Sequence, residues 1–424
     1  MSLQFTPMGG NNSEIKQQNV SAILLNLLHY KRLSRIQLAQ QIGVSTSTIT
    51  NLVSELINAN LVQEEGSRIG GQTGAGRPQR ALQLVGSARC GIGVHIDVGK
   101  VHVAIVDLCG TVLKKETFTH ALDMEWKRVL DQTCDATGRL VAELALDHST
   151  ILGVGVAASG LVDPFTGVNI ISPNLHWHDV PMKTYLEEAL ALPVIVENNV
   201  RAMALGESLF GSAQGVYSVA FFYARFGVGA GFVVGGQVFR GSAAGAGEVG
   251  HTTIMLERDA RSGVFKPTCL EDLISEPALL SQARQRALTM PESGLRRWVD
   301  AEALSVGAIF EAARNGDAAA QQVIHEYGFH VGIALANLIN VFNPELIILG
   351  GILQQYADAL MPKIKATVRE LAFGNLAEKI RIVKTGFEDR AGMIGAAALV
   401  LDQYFYRANA TITTLPETVE DELA

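Results

Sequence analysis

Apolar residues near the start of the chain recur at the spacing of helices, in three runs separated by short polar breaks. The runs span Val20 to Leu28, Ile36 to Ile42 and Ile49 to Ile57. Ser34 and Ser45 stand where a hydroxyl can cap the second and third helices, and Gly43 stands at the break between them, where a positive φ is needed. The pattern predicts a helix-turn-helix.

A hairpin is predicted directly after these helices. Residues 66–76 are rich in glycine and lead into Arg77 and Pro78, and alternating apolar residues follow. This pattern is typical of a wing, and an arginine on a proline-stiffened loop suits a narrow minor groove. The candidate DNA-binding residues are Ser45, Thr46, Ser47, Thr48, Asn51 and Arg77. The alternative is a helical protein-interaction module followed by a glycine linker.

From residue 90 the pattern changes to short apolar runs with the period of strands, interrupted by glycines. Residues 90–99 and 101–106 predict two strands joined by a tight turn, with Asp97 near the end of the first. A second opening of the same kind begins after Tyr217 and runs to Val234. Two α/β half-domains around a cleft are therefore predicted.

Composition narrows the class of protein. A chain of 424 residues, 48% hydrophobic and 18% charged, is long enough for two or three domains with ordinary cores. No run approaches the roughly 18 apolar residues of a membrane span, and the polar N-terminus lacks the apolar segment of a secretion signal. We therefore expect a cytoplasmic protein with no membrane partner. The four cysteines are widely scattered, which argues against a disulfide framework.

Charge is divided unevenly along the chain. The net charge is −8, but residues 1–80 carry seven Lys and Arg against four Glu, which gives +3 and leaves −11 for the remainder. A mildly basic head on an acidic body fits a small DNA-reading module attached to a part that repels DNA. The charge pattern thus favours double-stranded DNA as the partner of the head.

Three glycine-rich motifs follow one another in the body: GVGAG at 227–231, GAGEVGH at 245–251 and NPELIILGG at 343–351. Together with the head, and in this order, they resemble the ROK family, which groups bacterial repressors with sugar kinases. The resemblance covers the whole chain. It implies an α/β architecture in which an N-terminal winged helix-turn-helix precedes an actin/hexokinase-like ATPase fold of two α/β half-domains around a cleft. We expect the domains at residues 1–85 (with the wing and linker), 86–210 and 211–424.

One position departs from the kinases of that family. Their Glu-Asn-Asp run supplies a substrate-binding Asn and a catalytic Asp, which correspond here to Asn198 and Asn199. An amide cannot take a proton from a substrate hydroxyl, so the base for phosphoryl transfer is missing. The chain is therefore predicted not to be an enzyme and to have no catalytic residue. The neighbouring Glu197 is expected to point to the other face of its strand.

By resemblance, the sugar-binding residues are Ser159, Gly160, Asn198, Asn199, Glu248, His251 and Glu271. The amide of Asn199 retains a donor and an acceptor, so sugar binding can survive the loss of catalysis. A vestigial phosphate loop is assigned to Gly227, Gly229 and Gly231. We expect these glycines to keep an inherited turn geometry without a bound nucleotide, because Lys100 and Val101 replace the small residue and the hydroxyl of the family's phosphate turn. Nucleotide binding is the alternative, since the glycines would still allow close approach of the backbone to a phosphate. No cofactor is predicted.

The family's zinc site uses one His and three Cys. Only His251 and Cys269 match that pattern, since the other two thiol positions fall on Ser262 and Val264. Two ligands do not make a tetrahedral structural site, so no metal is predicted. Without a metal to bind, the His251 ring can instead bond a sugar hydroxyl.

These observations predict a sugar-responsive transcriptional repressor that binds operator DNA through the head and a sugar or sugar derivative in the body. As a homodimer or tetramer it would place two heads on a pseudo-palindromic operator. Ligand binding is expected to close the cleft and to change the spacing or freedom of the heads. One alternative is an ATP-dependent sugar kinase with a regulatory DNA-binding head. Another is a regulator whose effector is a protein.

Overall fold

The computed structural model describes residues 12–68, 80–258 and 264–407. The chain forms two compact units, of which the first takes Met1–Tyr217 together with Arg390–Ala424 and the second takes Ser218–Asp389. The division predicted at residues 85 and 210 stays a prediction. The head belongs to the same unit as the first α/β part, and residues 391–401 return to that unit because they form a helix that packs against the first sheet.

The head contains three helices and a two-stranded wing, as the sequence predicts. Its elements are α1 (Asn12–Tyr30), α2 (Arg35–Ile42), α3 (Thr46–Asn58), β1 (Val62–Arg68) and β2 (Arg80–Leu84). Ser34 caps α2 in a reciprocal capping box with Gln37, and Ser45 caps α3. Gly43 ends α2 with φ +78°, so the two predicted helix caps and the predicted turn glycine are confirmed. The first helix begins at Asn12, earlier than its apolar pattern suggests.

The rest of the first unit is built on a five-stranded sheet with the order β10-β6-β3-β4-β5 and a three-stranded sheet β7-β8-β9. Strands β3, β6 and β10 are parallel, so their carboxyl ends meet at one edge, where Ile96, Ala158 and Asn198 are aligned. In chain order the elements are β3 (Cys90–Asp97), β4 (Lys100–Asp107), β5 (Val112–Thr119), α4 (Trp126–Glu143), β6 (Ile151–Ala158), β7 (Leu161–Asp163), β8 (Val168–Ser172), β9 (Trp177–Val180), α5 (Met182–Leu190), β10 (Val194–Asn198) and α6 (Asn199–Phe210).

The second unit repeats this connectivity. Its five-stranded sheet has the order β13-β12-β11-β16-β17. Strand β12 pairs antiparallel with both β11 and β13, and β16 pairs parallel with both β11 and β17. The elements are β11 (Ser218–Ala224), β12 (Val228–Val234), β13 (Gln237–Phe239), β14 (Thr253–Arg258), β15 (Phe265–Cys269), α7 (Glu271–Ile274), α8 (Glu276–Thr289), α9 (Arg296–Asp300), α10 (Val306–Arg314), α11 (Ala318–Phe342), β16 (Leu346–Gly351), α12 (Ile352–Gln355), α13 (Ala357–Leu371), α14 (Leu376–Lys379) and β17 (Arg381–Lys384).

The last described elements are α15 (Ala391–Leu401) and a π-helical turn over Asp402–Tyr406, which belong to the first unit. Helix α15 is buried along its whole length and lies directly on β3 and β6. A Cβ placed on Gly155 of β6 would lie 1.8 Å from the Ala396 carbonyl oxygen, so only glycine permits this approach. The core of the first sheet is thereby completed by α15, which comes from the far end of the described sequence.

Candidate functional site

The first half of the candidate sugar site lies where β10 ends and α6 begins. Asn198 is the N-cap of α6, and its Oδ1 accepts hydrogen bonds from the backbone N–H groups of Val200 at 3.0 Å and Arg201 at 3.2 Å. Its Nδ2 donates to the Gly160 carbonyl at 3.0 Å. The sequence marked Asn198 as a sugar ligand, but in the structure the same amide also starts a helix and fixes the neighbouring loop.

Asn199 is the first residue of α6 and is only 5% exposed. Its Oδ1 accepts a hydrogen bond from the Val200 N–H at 3.0 Å. A carboxamide at this position can form hydrogen bonds with a hydroxyl group but cannot remove its proton. The side chain can therefore contribute to binding and not to general-base catalysis.

Glu197 carries a carboxylate next to the amide pair, which consists of the side chains of Asn198 and Asn199, and it is fully buried. Its Oε1 accepts hydrogen bonds from Arg201 Nε at 2.7 Å and from the Asn198 backbone N–H at 2.8 Å. The Arg201 side chain is itself 1% exposed, so the two charges are removed from water as a pair. Glu197 is thus committed to holding the junction of β10 with α6.

The loop at Ser159 and Gly160 follows β6 and faces the amide pair. The Ser159 N–H donates to the Ile96 carbonyl at 3.3 Å, and the Ser159 carbonyl accepts from Asn169 Nδ2 at 2.9 Å. Gly160 has φ +98°, and a Cβ there would lie 2.3 Å from the Ile171 carbonyl oxygen. Four of the predicted sugar residues, namely Ser159, Gly160, Asn198 and Asn199, are therefore together in the first unit.

The other three predicted sugar residues belong to the second unit. Glu248 precedes a short 3₁₀ turn that ends at His251, whose side chain is exposed. Glu271 begins α7, and its Oε2 accepts a hydrogen bond from the Val228 N–H at 2.9 Å. Glu271 therefore stabilises the start of β12, and the role of all three residues toward a sugar stays a sequence prediction.

The residues of the predicted phosphate loop are divided between a turn and a strand. Gly227 lies in the turn before β12, whereas Gly229 and Gly231 lie within β12 and pair with β11. In the first unit, Lys100 is exposed and Val101 is fully buried in β4. Neither position presents the small residue or the hydroxyl of a phosphate turn.

Ser262, one of the positions considered for a metal ligand, lies outside the described ranges. Within the described ranges, no group of three or more His, Cys, Asp or Glu side chains is placed to hold a metal ion. Cys269 is a free thiol, and its backbone N–H donates to Asp272 Oδ2 at 2.9 Å. None of the helices in the described part of the chain is long and apolar enough to cross a bilayer.

The candidate DNA-binding surface is the N-terminal half of α3. Ser45, Thr46, Ser47 and Asn51 are exposed, and Thr48 is half-buried. The Ser45 hydroxyl lies 2.8 Å from those of both Ser47 and Thr48, which gathers three hydroxyls at the start of the helix. A helix N-terminus that carries several hydroxyl groups is suited to phosphate and base-edge contacts. Arg77 lies outside the described residues.

Two glutamates of the wing pair with the basic residues of the head, which the sequence did not indicate. Glu64 accepts from Arg35 at 2.6 Å and from Arg80 at 2.7 Å, and Glu65 accepts from Arg32 at 2.6 Å. Hydrogen bonds from Arg80 and Arg35 lower the pKa of the Glu64 carboxyl. Pairs separated by 16 to 33 residues leave no local signal in the sequence.

Comparison with known proteins places both parts of the chain. It is 29% identical to a xylose repressor of Caldicellulosiruptor bescii over 392 residues, which cover 92% of this chain and 97% of the relative. Among solved structures, a ROK family transcriptional regulator described as a homologue of the E. coli MLC protein matches with a TM-score of 0.75 and 29% identity, over 92% of this chain and 96% of its own. The match to full-length regulators therefore includes the head.

A kinase matches less of the chain. A ROK family glucokinase from Streptomyces griseus, solved in complex with glucose and AMPPNP, has a TM-score of 0.64 and 28% identity and covers 73% of this chain and 98% of its own. The actin/hexokinase-like fold expected for the body is thereby confirmed. The model of the ROK family itself matches residues 91–403. With the repeated sheets, the glycine motifs and a winged head in front of them, this chain belongs to the ROK family.

Proposed function

We propose that this protein is a sugar-responsive transcriptional repressor without phosphoryl-transfer activity. The observation that carries the proposal is helix α6, which begins at Asn199 in the candidate sugar site and is followed by a loop that contacts α1 of the head. The helix has 12 residues and is therefore about 18 Å long. One rigid element thus joins the place where a ligand would bind to the module that would read DNA.

The contact at the head end of α6 is close. A Cβ placed on Gly215, in the loop after α6, would lie 2.9 Å from Cε1 of His29 in α1. The loop is fixed to α6 because Glu207 Oε2 accepts from the Ser212 N–H at 2.7 Å, and the Glu207 carbonyl accepts from Ala213. Burial lowers the pKa of His29, which favours a neutral ring that packs against the glycine. A displacement of α6 would therefore move the loop that contacts α1.

Helix α15 provides a second connection between the same two places. The backbones of α6 and α15 touch, since a Cβ on Gly206 would lie 2.9 Å from the Gly395 Cα. Helix α15 continues into the π-helical turn, which contacts α1 and whose Tyr406 hydroxyl donates to the Leu108 carbonyl. Two packed helices thus support one another, which favours transmission of a small movement as a unit.

The chemistry of the site supports binding without phosphoryl transfer. Asn199 is an amide, and the carboxylate beside it, Glu197, is buried in an ion pair with Arg201. The related repressor from C. bescii is named for xylose, and the S. griseus glucokinase holds glucose. A pentose or hexose, or a derivative of one, is therefore the class of ligand that we propose.

On the DNA side, we propose that α3 enters the major groove with the hydroxyl cluster at Ser45 and the exposed Asn51 toward the duplex. The protein would act in the cytoplasm as a homodimer, because a two-fold operator needs two heads about one helical turn apart. A ligand that prefers one of two head arrangements would then change operator affinity by its differential affinity for them.

The test uses His29→Ala in the full-length protein. Operators are selected from a random duplex library, and a panel of pentoses, hexoses and their phosphates, including D-xylose and D-glucose, is screened by thermal shift. We expect the wild type to change operator affinity by about 5- to 150-fold when the sugar is bound. In His29→Ala, sugar affinity and sugar-free operator affinity should stay within about threefold of wild type, while the sugar effect falls toward one.

His148→Ala is the matched control, since His148 is exposed in a 3₁₀ turn of the same unit and distant in sequence from α1. It should retain the full sugar effect. An unchanged sugar effect in His29→Ala would rule out transmission through this contact. A wild type that binds no sugar of the panel, or that binds one without any change at the operator, would overturn the proposed function itself.

A further inference from the structure

Asn169 is a buried amide that the sequence did not single out. It lies on β8, the central strand of the three-stranded sheet, where it pairs with Val162 on one side and Val180 on the other. The residue is completely buried. Its Nδ2 donates to the Ser159 carbonyl at 2.9 Å, which directs it to the loop of the candidate sugar site.

Folding alone does not account for an amide at this position. Asn169 Oδ1 is buried and has no hydrogen-bond partner within the part of the chain that the structure describes. A buried acceptor that loses water without gaining a partner is unfavourable, whereas a leucine of similar shape would avoid that loss. The amide therefore carries an unsatisfied acceptor in the core, and what it contributes in return is its bond to the Ser159 carbonyl.

Strand β8 supports the loop in two ways. The side chain of Asn169 holds the Ser159 carbonyl, and the backbone of β8 lies so close under Gly160 that a Cβ there would be 2.3 Å from the Ile171 carbonyl oxygen. From the other side, Asn198 Nδ2 donates to the Gly160 carbonyl at 3.0 Å. Two successive carbonyl groups are thus each held by one asparagine, which leaves the loop little freedom.

We propose that Asn169 is a positioning residue for the sugar-binding loop. By fixing the Ser159 carbonyl, it holds the backbone of the loop and the direction of the Ser159 Cα–Cβ bond, so that the loop can present its polar groups to a monosaccharide with less ordering at binding. The assignment rests on the proposed sugar-binding function. Asn198 performs the same task at Gly160, so the loop is held by a pair of amides of which only one was predicted.

The variants Asn169→Leu and Asn169→Asp test the proposal in the full-length protein. Leucine removes the donor and keeps the shape, and aspartate replaces the donor by a second acceptor opposite the Ser159 carbonyl. We expect the affinity for the sugar found in the thermal-shift panel to fall about tenfold in Asn169→Leu and further in Asn169→Asp. Sugar-free operator affinity should remain within about twofold, because the head is not touched.

Asn26→Leu is the matched control. Asn26 is also a buried asparagine whose Nδ2 donates to one carbonyl, that of Ala22 at 2.8 Å, but it lies in α1 of the head. Its leucine variant should leave sugar affinity within about twofold of wild type. Sugar affinity reduced equally in both leucine variants would reveal a general loss of folding and would overturn the proposal.

Hydrogen exchange of the sugar-free protein separates this proposal from the proposed function. Amides in a peptide covering residues 159–161 should exchange faster in Asn169→Leu than in wild type, and at the same rate in Asn26→Leu. This readout needs no ligand, so it decides the positioning role even if no sugar binds. Unchanged exchange of that peptide, or unchanged sugar affinity in Asn169→Leu, would contradict the proposal.

Discussion

The protein uses the same two residue types, Glu and Arg, in two regions with opposite burial. At the start of α6, Glu197 and Arg201 are 0% and 1% exposed and joined at 2.7 Å. In the head, Glu64 is 24% exposed and shared between Arg35, at 24%, and Arg80, at 67%. The bonds are of similar length, so exposure to water distinguishes the two groups of charges.

Burial decides what each group of charges can do. A buried pair cannot exchange its partner without leaving a charge in a medium that solvates it poorly, so Glu197 and Arg201 act as a fixed part of the frame around the amide pair. The group at Glu64 is partly buried at Arg35 and open to water at Arg80, and ion pairs in contact with water contribute little free energy. We therefore expect that the arginines of the head can leave Glu64 for a phosphate group.

The largest effect should follow from Arg201→Met. This variant removes the cation from a buried ion pair and leaves the Glu197 carboxylate in the interior, so we expect the free energy of unfolding to fall by about 3–5 kcal/mol. Urea unfolding monitored by circular dichroism measures this loss. Arg35→Met is the matched variant in the head and should cost at most about 1 kcal/mol. Equal losses in the two variants would remove the basis of the comparison.

A smaller effect is expected at the level of DNA binding. Glu64→Gln removes the carboxylate that holds Arg35 and Arg80, so both guanidinium groups become available to phosphates. Each added phosphate contact steepens the dependence of log affinity on log salt by about 0.9, and affinity for random-sequence duplex at low salt should rise several-fold. Fluorescence anisotropy over a salt series measures both quantities.

Glu116→Gln serves as the control for that experiment. Glu116 on β5 pairs with Arg139 on α4, and neither residue belongs to the helix-turn-helix. It should leave DNA affinity and its salt dependence unchanged. If Glu64→Gln behaved in the same way, the wing glutamate would not be competing with phosphate groups.

The smallest effect concerns pH. The pKa of Glu64 is lowered in the folded protein, chiefly by hydrogen bonds from Arg80 and Arg35, so its contribution to stability is present above the ordinary pKa of 4.5 and is lost as the pH falls through the lowered value. The group is near the surface, so the contribution should be below about 1 kcal/mol. The difference in unfolding free energy between wild type and Glu64→Gln should accordingly be larger at pH 7 than at pH 3.5. A difference that grows toward acid would contradict this assignment.

Local patterns in the sequence predicted the head well. Helix caps and turn residues act over three or four positions, so Ser34, Gly43 and Ser45 could be identified from their neighbours. The pairing of Glu64 with Arg35 could not, because it depends on how the wing folds back onto α2. The return of α15 to the first sheet is a contact between distant parts of the chain and was missed for the same reason.

At the candidate site, the residue types came from the resemblance and the geometry came from the fold. Asn198 and the Ser159 loop could be named in advance, but the capping bonds of Asn198 are visible only once α6 is seen to begin there. Asn169 lies in no motif that the sequence offered, since its importance depends on the approach of β8 to the loop. The expectation that Glu197 points to the other face of its strand stays a prediction, and the structure adds that its carboxylate is buried in a pair with Arg201.

In the proposed function, a sugar binds to the body and thereby changes the affinity of the head for operator DNA, without phosphoryl transfer. The most direct measurement is a titration of the full-length protein against its selected operator at fixed salt, with and without saturating sugar, in the presence of ATP and a coupled assay for ADP. We predict a shift of about 5- to 150-fold in operator affinity and no ADP above the protein-free rate. Sugar-dependent ADP formation, or an operator affinity that no sugar of the panel changes, would contradict the account.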